Sequence, residues 1–154
     1  MKSLKIKDVS VKAKQGQYGI VFTSWNPSIV QDLLKETKKE LVSQGVDEAN
    51  IYLKEVPGAF ELPLATQFMA EKEGILSVIS LGAIIRGDTP HFDFISSSCL
   101  EGLQEVSLKT RIPVICGVLT TNTIEQAEER SDPNKMNKGK EFALTALNMV
   151  DSLS

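Results

Sequence analysis

The sequence predicts an α/β fold, a three-layer α/β/α sandwich built on a four-stranded parallel sheet, and three observations lead there. Short apolar runs rich in β-branched residues alternate with segments whose apolar residues recur every three or four positions, the pattern of strands feeding helices. One such run, residues 75–81, is apolar on both of its faces, as expected for a strand covered by helices on either side. The length of 154 residues suffices for one well-packed domain and not for two ordinary ones, so 1–154 is expected to form a single domain.

The elements follow in order. Residues 18–24 read as the first strand, and Asn26-Pro27 supplies an N-cap residue and a proline at the first helical position. Ile29, Val30, Leu33, Leu34, Leu41 and Val42 then keep one helical face, with Gly45 at the C-terminal cap. The second strand is Ile51–Val56. After Pro57-Gly58 a helical pattern carries Leu62, Leu64, Ala65, Phe68 and Met69 on one side and closes at Gly74. The third strand is 75–81, and the loop 86–91 leads into a helix with apolar positions Phe92, Ile95, Cys99, Leu103 and Val106. A fourth strand runs from about Ile112 to Thr120, and Thr123-Ile124-Glu125-Gln126 has the spacing of a capping box. Beyond the polar segment 131–138, a last amphipathic helix carries Phe142, Ala143, Leu147, Met149 and Val150.

Parallel strands need right-handed crossovers, which put helices on both faces. Ligands of such sheets bind at the carboxyl ends of the strands. Here those ends carry Trp25 and Asn26, residues 57–61, residues 82–91 and residues 120–122, which are expected to share one rim.

Composition narrows the chemistry. Seventeen basic against twenty acidic residues give a net charge of -3, with no broad attraction for nucleic acid or anionic lipid, so an anionic substrate has to be caught locally. The longest mostly apolar stretch, 74–85, is too short and interrupted to span a bilayer, and the charged start, residues 1–5, has no apolar run behind it, which argues against a secretory signal. His91 is the only histidine, and Cys99 and Cys116 are the only cysteines, which excludes a zinc site with close ligand pairs. Both thiols read as core residues of a chain in a reducing, cytoplasmic setting. No phosphate-loop, dinucleotide or nucleophile-elbow motif is present.

On the rim, the loop Gly82-Ala83-Ile84-Ile85-Arg86-Gly87-Asp88-Thr89-Pro90-His91 has two readings. Backbone amides before a helix N-terminus can cradle a phosphate, or the loop is a tight turn in which Arg86 pairs with Asp88. His91, in the first helical turn, is either a proton shuttle kept neutral by the helix dipole or a structural residue. Trp25 can stack a planar heterocycle or simply pack, and Glu61 can hold ligand hydroxyls or favour the helix start. The charged segment from Glu125 to Lys140 reads as a solvated face.

Taken together and in order, Trp25-Asn26, Val56-Pro57-Gly58-Ala59-Phe60-Glu61, the run from Leu81 to Asp93, Gly117-Val118-Leu119-Thr120-Thr121, Glu125-Gln126-Ala127, Arg130 and Asn137-Lys138-Gly139 resemble the lumazine synthase family over almost the whole chain. The resemblance implies the flavodoxin-like form of the sandwich. It also implies a transferase of the penultimate step of riboflavin biosynthesis, which condenses 5-amino-6-ribitylamino-2,4-pyrimidinedione with 3,4-dihydroxy-2-butanone 4-phosphate to 6,7-dimethyl-8-ribityllumazine without a cofactor. Trp25 would stack on the pyrimidinedione and Asn26 contact it. Ala59 and Glu61 would meet ring and ribityl chain, and Ala83 and Ile85 add contacts to the heterocycle and its side chain. Gly87, Asp88 and Thr89 would bind phosphate through their backbone, and His91 would move protons. Arg130 would reach the phosphate from an adjacent subunit, with Lys138 as a second cation.

One position departs from the pattern. Where Cys116 stands, the family usually has a phenylalanine that closes over the ring from the neighbouring subunit. Family members are homo-oligomers, pentamers or capsids of twelve pentamers. The spacing from Arg130 to Lys138 permits a capsid, whereas Pro133 restricts a segment that is usually glycine-containing. Riboflavin synthase is the partner protein such a shell suggests. A reading from another class keeps the site without efficient catalysis, as a flavin- or lumazine-binding or shell-forming protein.

Overall fold

A computed structural model of the chain describes residues 8–154, so the charged start read above lies outside the described residues. Four strands, β1 Gln17–Thr23, β2 Ile51–Val56, β3 Ile75–Ile85 and β4 Val114–Thr121, pair in parallel in the order β2-β1-β3-β4. The helices are α1 Val11–Lys14, α2 Pro27–Ser43, α3 Leu62–Ala70, α4 His91–Thr110, α5 Ile124–Ser131 and α6 Lys138–Ser152. This is the flavodoxin-like three-layer sandwich. The chain leaves β1 for β2 on one side and returns to β3 on the other, so the strand order switches between β1 and β3.

Side-chain alternation along each strand divides the core in two. Tyr18, Ile20, Phe22, Ile79 and Leu81 face Ile29, Leu33 and Leu41 of α2 and Ala143 and Leu147 of α6. On the opposite face Val21, Val78 and Val118 meet Leu62 and Met69 of α3 and Cys99 and Leu103 of α4. Each such aliphatic burial contributes roughly 1.5–3 kcal/mol. The capping box opens α5 as expected: Thr123 Oγ1 accepts from Gln126 N–H at 3.2 Å, and Gln126 Oε1 accepts from Thr123 N–H at 3.3 Å. No helix among the described residues is long and apolar enough to cross a membrane.

Four expectations are corrected. The third strand continues past Leu81 to Ile85, because residues 82–85 stay in register with residues 118–121 of β4. The third helix ends at Ala70, and Gly74, at φ +88°, takes the left-handed turn into β3 instead. Its apolar residues split into two stripes, Leu62 and Met69 buried, Leu64 and Phe68 exposed, since only one side of so short a helix can face the sheet. Finally, Cys99 is buried but Cys116 is exposed, because β4 is an edge strand whose α4 side is only partly covered.

The start of α6 lies unusually close to α2. A Cβ on Gly139 would stand 2.7 Å from Leu33 O and 3.1 Å from Glu36 Cβ, and Thr37 donates its hydroxyl to Gly139 O at 2.9 Å. Gly139→Ala is expected to destabilise the fold by about 2 kcal/mol, since backbone has to move to admit the methyl. A thermal unfolding midpoint equal to that of the wild type would contradict this.

Candidate active site

The crevice at the β1/β3 switch contains a cleft of about 410 Å³. Each wall comes from the residue that ends or follows a strand. β1 delivers Thr23, Trp25 and Asn26; the turn after β2 delivers Gly58, Ala59, Phe60 and Glu61; the end of β3 delivers Ala83, Ile84 and Ile85; and the first turn of α4 delivers His91 and Ile95. Seven residues singled out from the sequence thus meet in one place: Trp25, Asn26, Ala59, Glu61, Ala83, Ile85 and His91. Trp25 is 72% exposed, an aromatic plate with one face available. Gly58 lets two groups crowd its backbone, for a Cβ there would stand 3.2 Å from both Trp25 Cδ1 and Glu61 Oε2.

His91 is the first residue of α4, and no side chain caps the helix ahead of it. Gly87, Asp88 and Thr89 form the exposed loop before it and do not line the cleft. With Gly87 surrounded by open space, that loop and the α4 N-terminus keep backbone amides available to an anion. Arg86 does not pair with Asp88. Its Nε donates to Asn122 Oδ1 at 2.8 Å, its Nη2 lies 3.5 Å from Asp93 Oδ1, and its guanidinium sits 4.4 Å from the centre of the Phe92 ring. The cause is the strand ladder, since Arg86 N–H still bonds Thr121 O at 2.9 Å and so the side chain is drawn toward the end of β4 and the first turn of α4.

Three further candidates are remote from this cleft. Arg130, near the end of α5, donates from Nη1 to Gln126 O at 2.9 Å. Lys138, the first residue of α6, pairs with Glu141 Oε2 at 2.8 Å. Cys116 lines a separate cleft of about 330 Å³ with Leu100, Gln104 and Leu108. There burial pushes its thiol pKa up, opposed in part by a hydrogen bond from the Val118 backbone. Burial, with a smaller contribution from Cys116, pushes the Cys99 thiol up to about 12.

Thr23 and Ile95 lie outside the rim segments read from the sequence, and Phe60 and Ile84 lie within them without having been given a role. Thr23 is only 2% exposed, and its Oγ1 is buried without a protein partner. Its signal was a polar residue closing an apolar strand at the carboxyl edge. A larger cleft of about 490 Å³, walled mostly by Val56, Leu64, Ala65 and Phe68, shares only Glu61 with the first. It lacks the histidine, and its titratable groups besides Glu61 are Lys54 and Lys72. Among the described residues no three His, Cys, Asp or Glu side chains cluster so as to hold a metal ion.

The first cleft can therefore stack a planar ring on Trp25 and hydrogen-bond its edge and polar substituents through the backbone of β3 and Glu61. It can also transfer protons at His91 beside an anion-accepting helix start. A family model described as 6,7-dimethyl-8-ribityllumazine synthase matches residues 15–154 of the chain.

Proposed function

Because the chain belongs to the 6,7-dimethyl-8-ribityllumazine synthase family, an enzyme family of riboflavin biosynthesis, we propose that the cleft beside Trp25 and His91 is where its reaction occurs. The reaction joins 5-amino-6-ribitylamino-2,4-pyrimidinedione to 3,4-dihydroxy-2-butanone 4-phosphate, releasing phosphate and water. One observation carries the assignment to this cleft: an exposed indole, the Glu61 carboxylate, the carboxyl end of β3 and the chain's single histidine meet in one space at the strand-order switch.

The chemistry asks little of the protein beyond placement. The amine and ketone are already reactive, so alignment, exclusion of water and proton transfer suffice. The pyrimidinedione stacks on Trp25, with Ala59, Ala83 and Ile85 around the ring and Glu61 accepting from ribityl hydroxyls. The phosphate lies on the backbone of Gly87, Asp88 and Thr89. His91 accepts and returns protons as the imine forms, phosphate leaves, the ring closes and water is lost. Arg130 of an adjacent copy stabilises the departing phosphate, with Lys138 as a further cation nearby. Supplying both substrates and following lumazine absorbance together with phosphate release tests the assignment in Trp25→Ala and Glu61→Gln variants. Unchanged kinetics in both would remove the cleft from the reaction, and tight lumazine binding by the wild type without turnover would favour the binding-protein reading.

A homo-oligomer follows from the same reading. Arg130 lies outside the cleft of its own chain, and Leu64, Phe68, Phe94, Leu100 and Leu108 form exposed apolar surface suited to burial against further copies. The reading extends to a cytoplasmic pentamer or twelve of them, with riboflavin synthase as the partner of a closed shell; mass measurement of the assembly distinguishes the sizes.

Two substitutions probe the heterocycle's packing. Gly58→Ala is expected to displace the Trp25 edge or the Glu61 carboxylate and raise the KM for the pyrimidinedione about fivefold, corresponding to about 1 kcal/mol of overpacking. An unchanged KM would mean that neither group is held by the Gly58 backbone. Cys116→Phe restores the aromatic that the family usually presents to the neighbouring site. It is expected to lower that KM about fivefold, the size of one added aromatic contact. No gain in affinity would count against Cys116 facing the ring.

A further inference from the structure

The turn after β1 is fastened on both sides. Ser24 N–H donates to Val56 O of β2 at 2.9 Å, and the Ser24 hydroxyl donates to Glu55 Oε1 at 2.9 Å. Two residues on, Asn26 Nδ2 donates to Ala83 O of β3 at 3.1 Å. Since β1 lies between β2 and β3, these bonds straddle it, and Trp25 is the one residue held between them.

Asn26 occupies the N-cap position of α2, where its carbonyl accepts from Val30 N–H at 3.1 Å but its side chain does no capping. Its side chain makes no bond to the helix, and its backbone lies at φ 54°, ψ 58°. That left-handed region is unfavourable for a residue with a Cβ, and a residue preceding proline, as Asn26 precedes Pro27, is steered toward extended conformations besides. Two local preferences are overridden at one residue. Such a conformation persists where the surroundings over-determine it and gathers at functional sites. Asparagine suits the position because it tolerates positive φ better than most residues and still carries an N–H donor for Ala83. The indole is 72% exposed, with the Gly58 backbone close to its Cδ1 edge. Its direction is therefore set by the backbone on either side of it.

We infer that Asn26 is a positioning residue: its left-handed backbone and its amide bond to Ala83 aim Trp25 over the cleft, and it acts on the pyrimidinedione through the indole rather than by touching the ring. The inference rests on the proposed site, in which Trp25 is the plate for the heterocycle. It revises the ring contact that the family resemblance implied for Asn26.

Trp25 is the only tryptophan, so its emission reports on this turn alone. The full chain is compared as wild type, Asn26→Asp, which keeps size but puts a carboxylate opposite a carbonyl, and Asn26→Gly, which accepts positive φ but loses the amide. Thermal midpoints establish that each variant folds, and with two variants the comparison survives the loss of one. Without ligand, both are expected to lower the Trp25 fluorescence anisotropy. With 6,7-dimethyl-8-ribityllumazine as the probe, both are expected to quench less completely than the wild type. Kinetically, the KM for the pyrimidinedione is expected to rise about fivefold or more with kcat held within about twofold, the signature of lost uniform binding. In a Trp25→Ala background, Asn26→Asp is expected to add less than about a further twofold to KM, because the route through the indole is already gone. Wild-type anisotropy and KM in Asn26→Asp, while the lumazine quenches wild-type emission normally, would overturn the positioning role and leave the site intact. A full-sized KM increase in the Trp25→Ala background would overturn it in favour of direct ring contact. Absence of any lumazine effect on wild-type emission would remove Trp25 as the plate and the inference with it.

Discussion

Arg130→Ala is expected to lower kcat/KM for the phosphorylated ketone by about 10²–10³-fold, the scale on which a single preorganised donor to developing charge contributes, while pyrimidinedione affinity stays near that of the wild type. The chain's net charge of -3 provides no general anion field, so phosphate has to be caught by local groups. In the proposed site the loop amides before His91 are one such group, and the Arg130 guanidinium is the other. One of the five N–H donors of Arg130 is tied to Gln126 O, which anchors the side chain along α5 and leaves a fork suited to phosphate oxygens. Because Arg130 does not line its own chain's cleft, a mixture of Arg130→Ala chains with cleft-defective Trp25→Ala chains is expected to regain activity on co-assembly, each supplying what the other lacks. Kinetics of the variant equal to those of the wild type, or no recovery on mixing, would remove the intersubunit role.

His91→Ala is expected to slow turnover by about tenfold to a hundredfold, at the low end of what general acid–base groups contribute, with both KM values little changed. The smaller effect follows from the substrates. The substrate amine attacks the ketone without a nucleophile from the protein, and water can carry some of the protons. In the proposed mechanism the imidazole lining the cleft saves the search for a correctly placed water at each step. Single-turnover measurements with both substrates saturating isolate this step. A variant that turns over at the wild-type rate would leave His91 a structural residue of the α4 start.

The sheet, its order of strands and helices and the rim segments that hold seven cleft residues were legible because each rests on a local pattern plus one topological rule, whereas Ala59, Ala83 and Ile85 were singled out within those segments only by the family resemblance. Short apolar, β-branched runs marked the strands, Asn26-Pro27 and Thr123 to Gln126 marked helix starts, and the parallel sheet put the carboxyl ends of strands together. What stayed hidden depends on neighbours far along the chain. Periodicity could not say that Leu64 and Phe68 would face outward while Leu62 and Met69 faced in, since all four fit one helical wheel loosely. Arg86 had an acid two residues away, yet the β3–β4 ladder drew it to Asn122 and Asp93 instead. Cys116 sat in an apolar run that reads as core, and only its place on an edge strand exposes it. Asn26 was read as an N-cap by residue type, whereas its amide is committed to Ala83, 57 positions away. Phe60 carries no polar group that a one-dimensional reading would single out.

The close seat of Gly139 against Leu33 gives α2 a mechanical part in any assembly of these chains. The helix begins beside the cleft, immediately after Asn26, and within roughly 9–15 Å along its axis, at 1.5 Å per residue, it reaches the positions that clamp the start of α6. A single helix thus runs from the end of the molecule that carries the proposed site to the α5–α6 corner near Arg130. In a ring where that corner serves the next copy's cleft, α2 is the ruler that sets their spacing. An error in its seating would repeat at every joint, so the ring's tolerance for misfit is decided inside each chain, at a contact too tight for a methyl group.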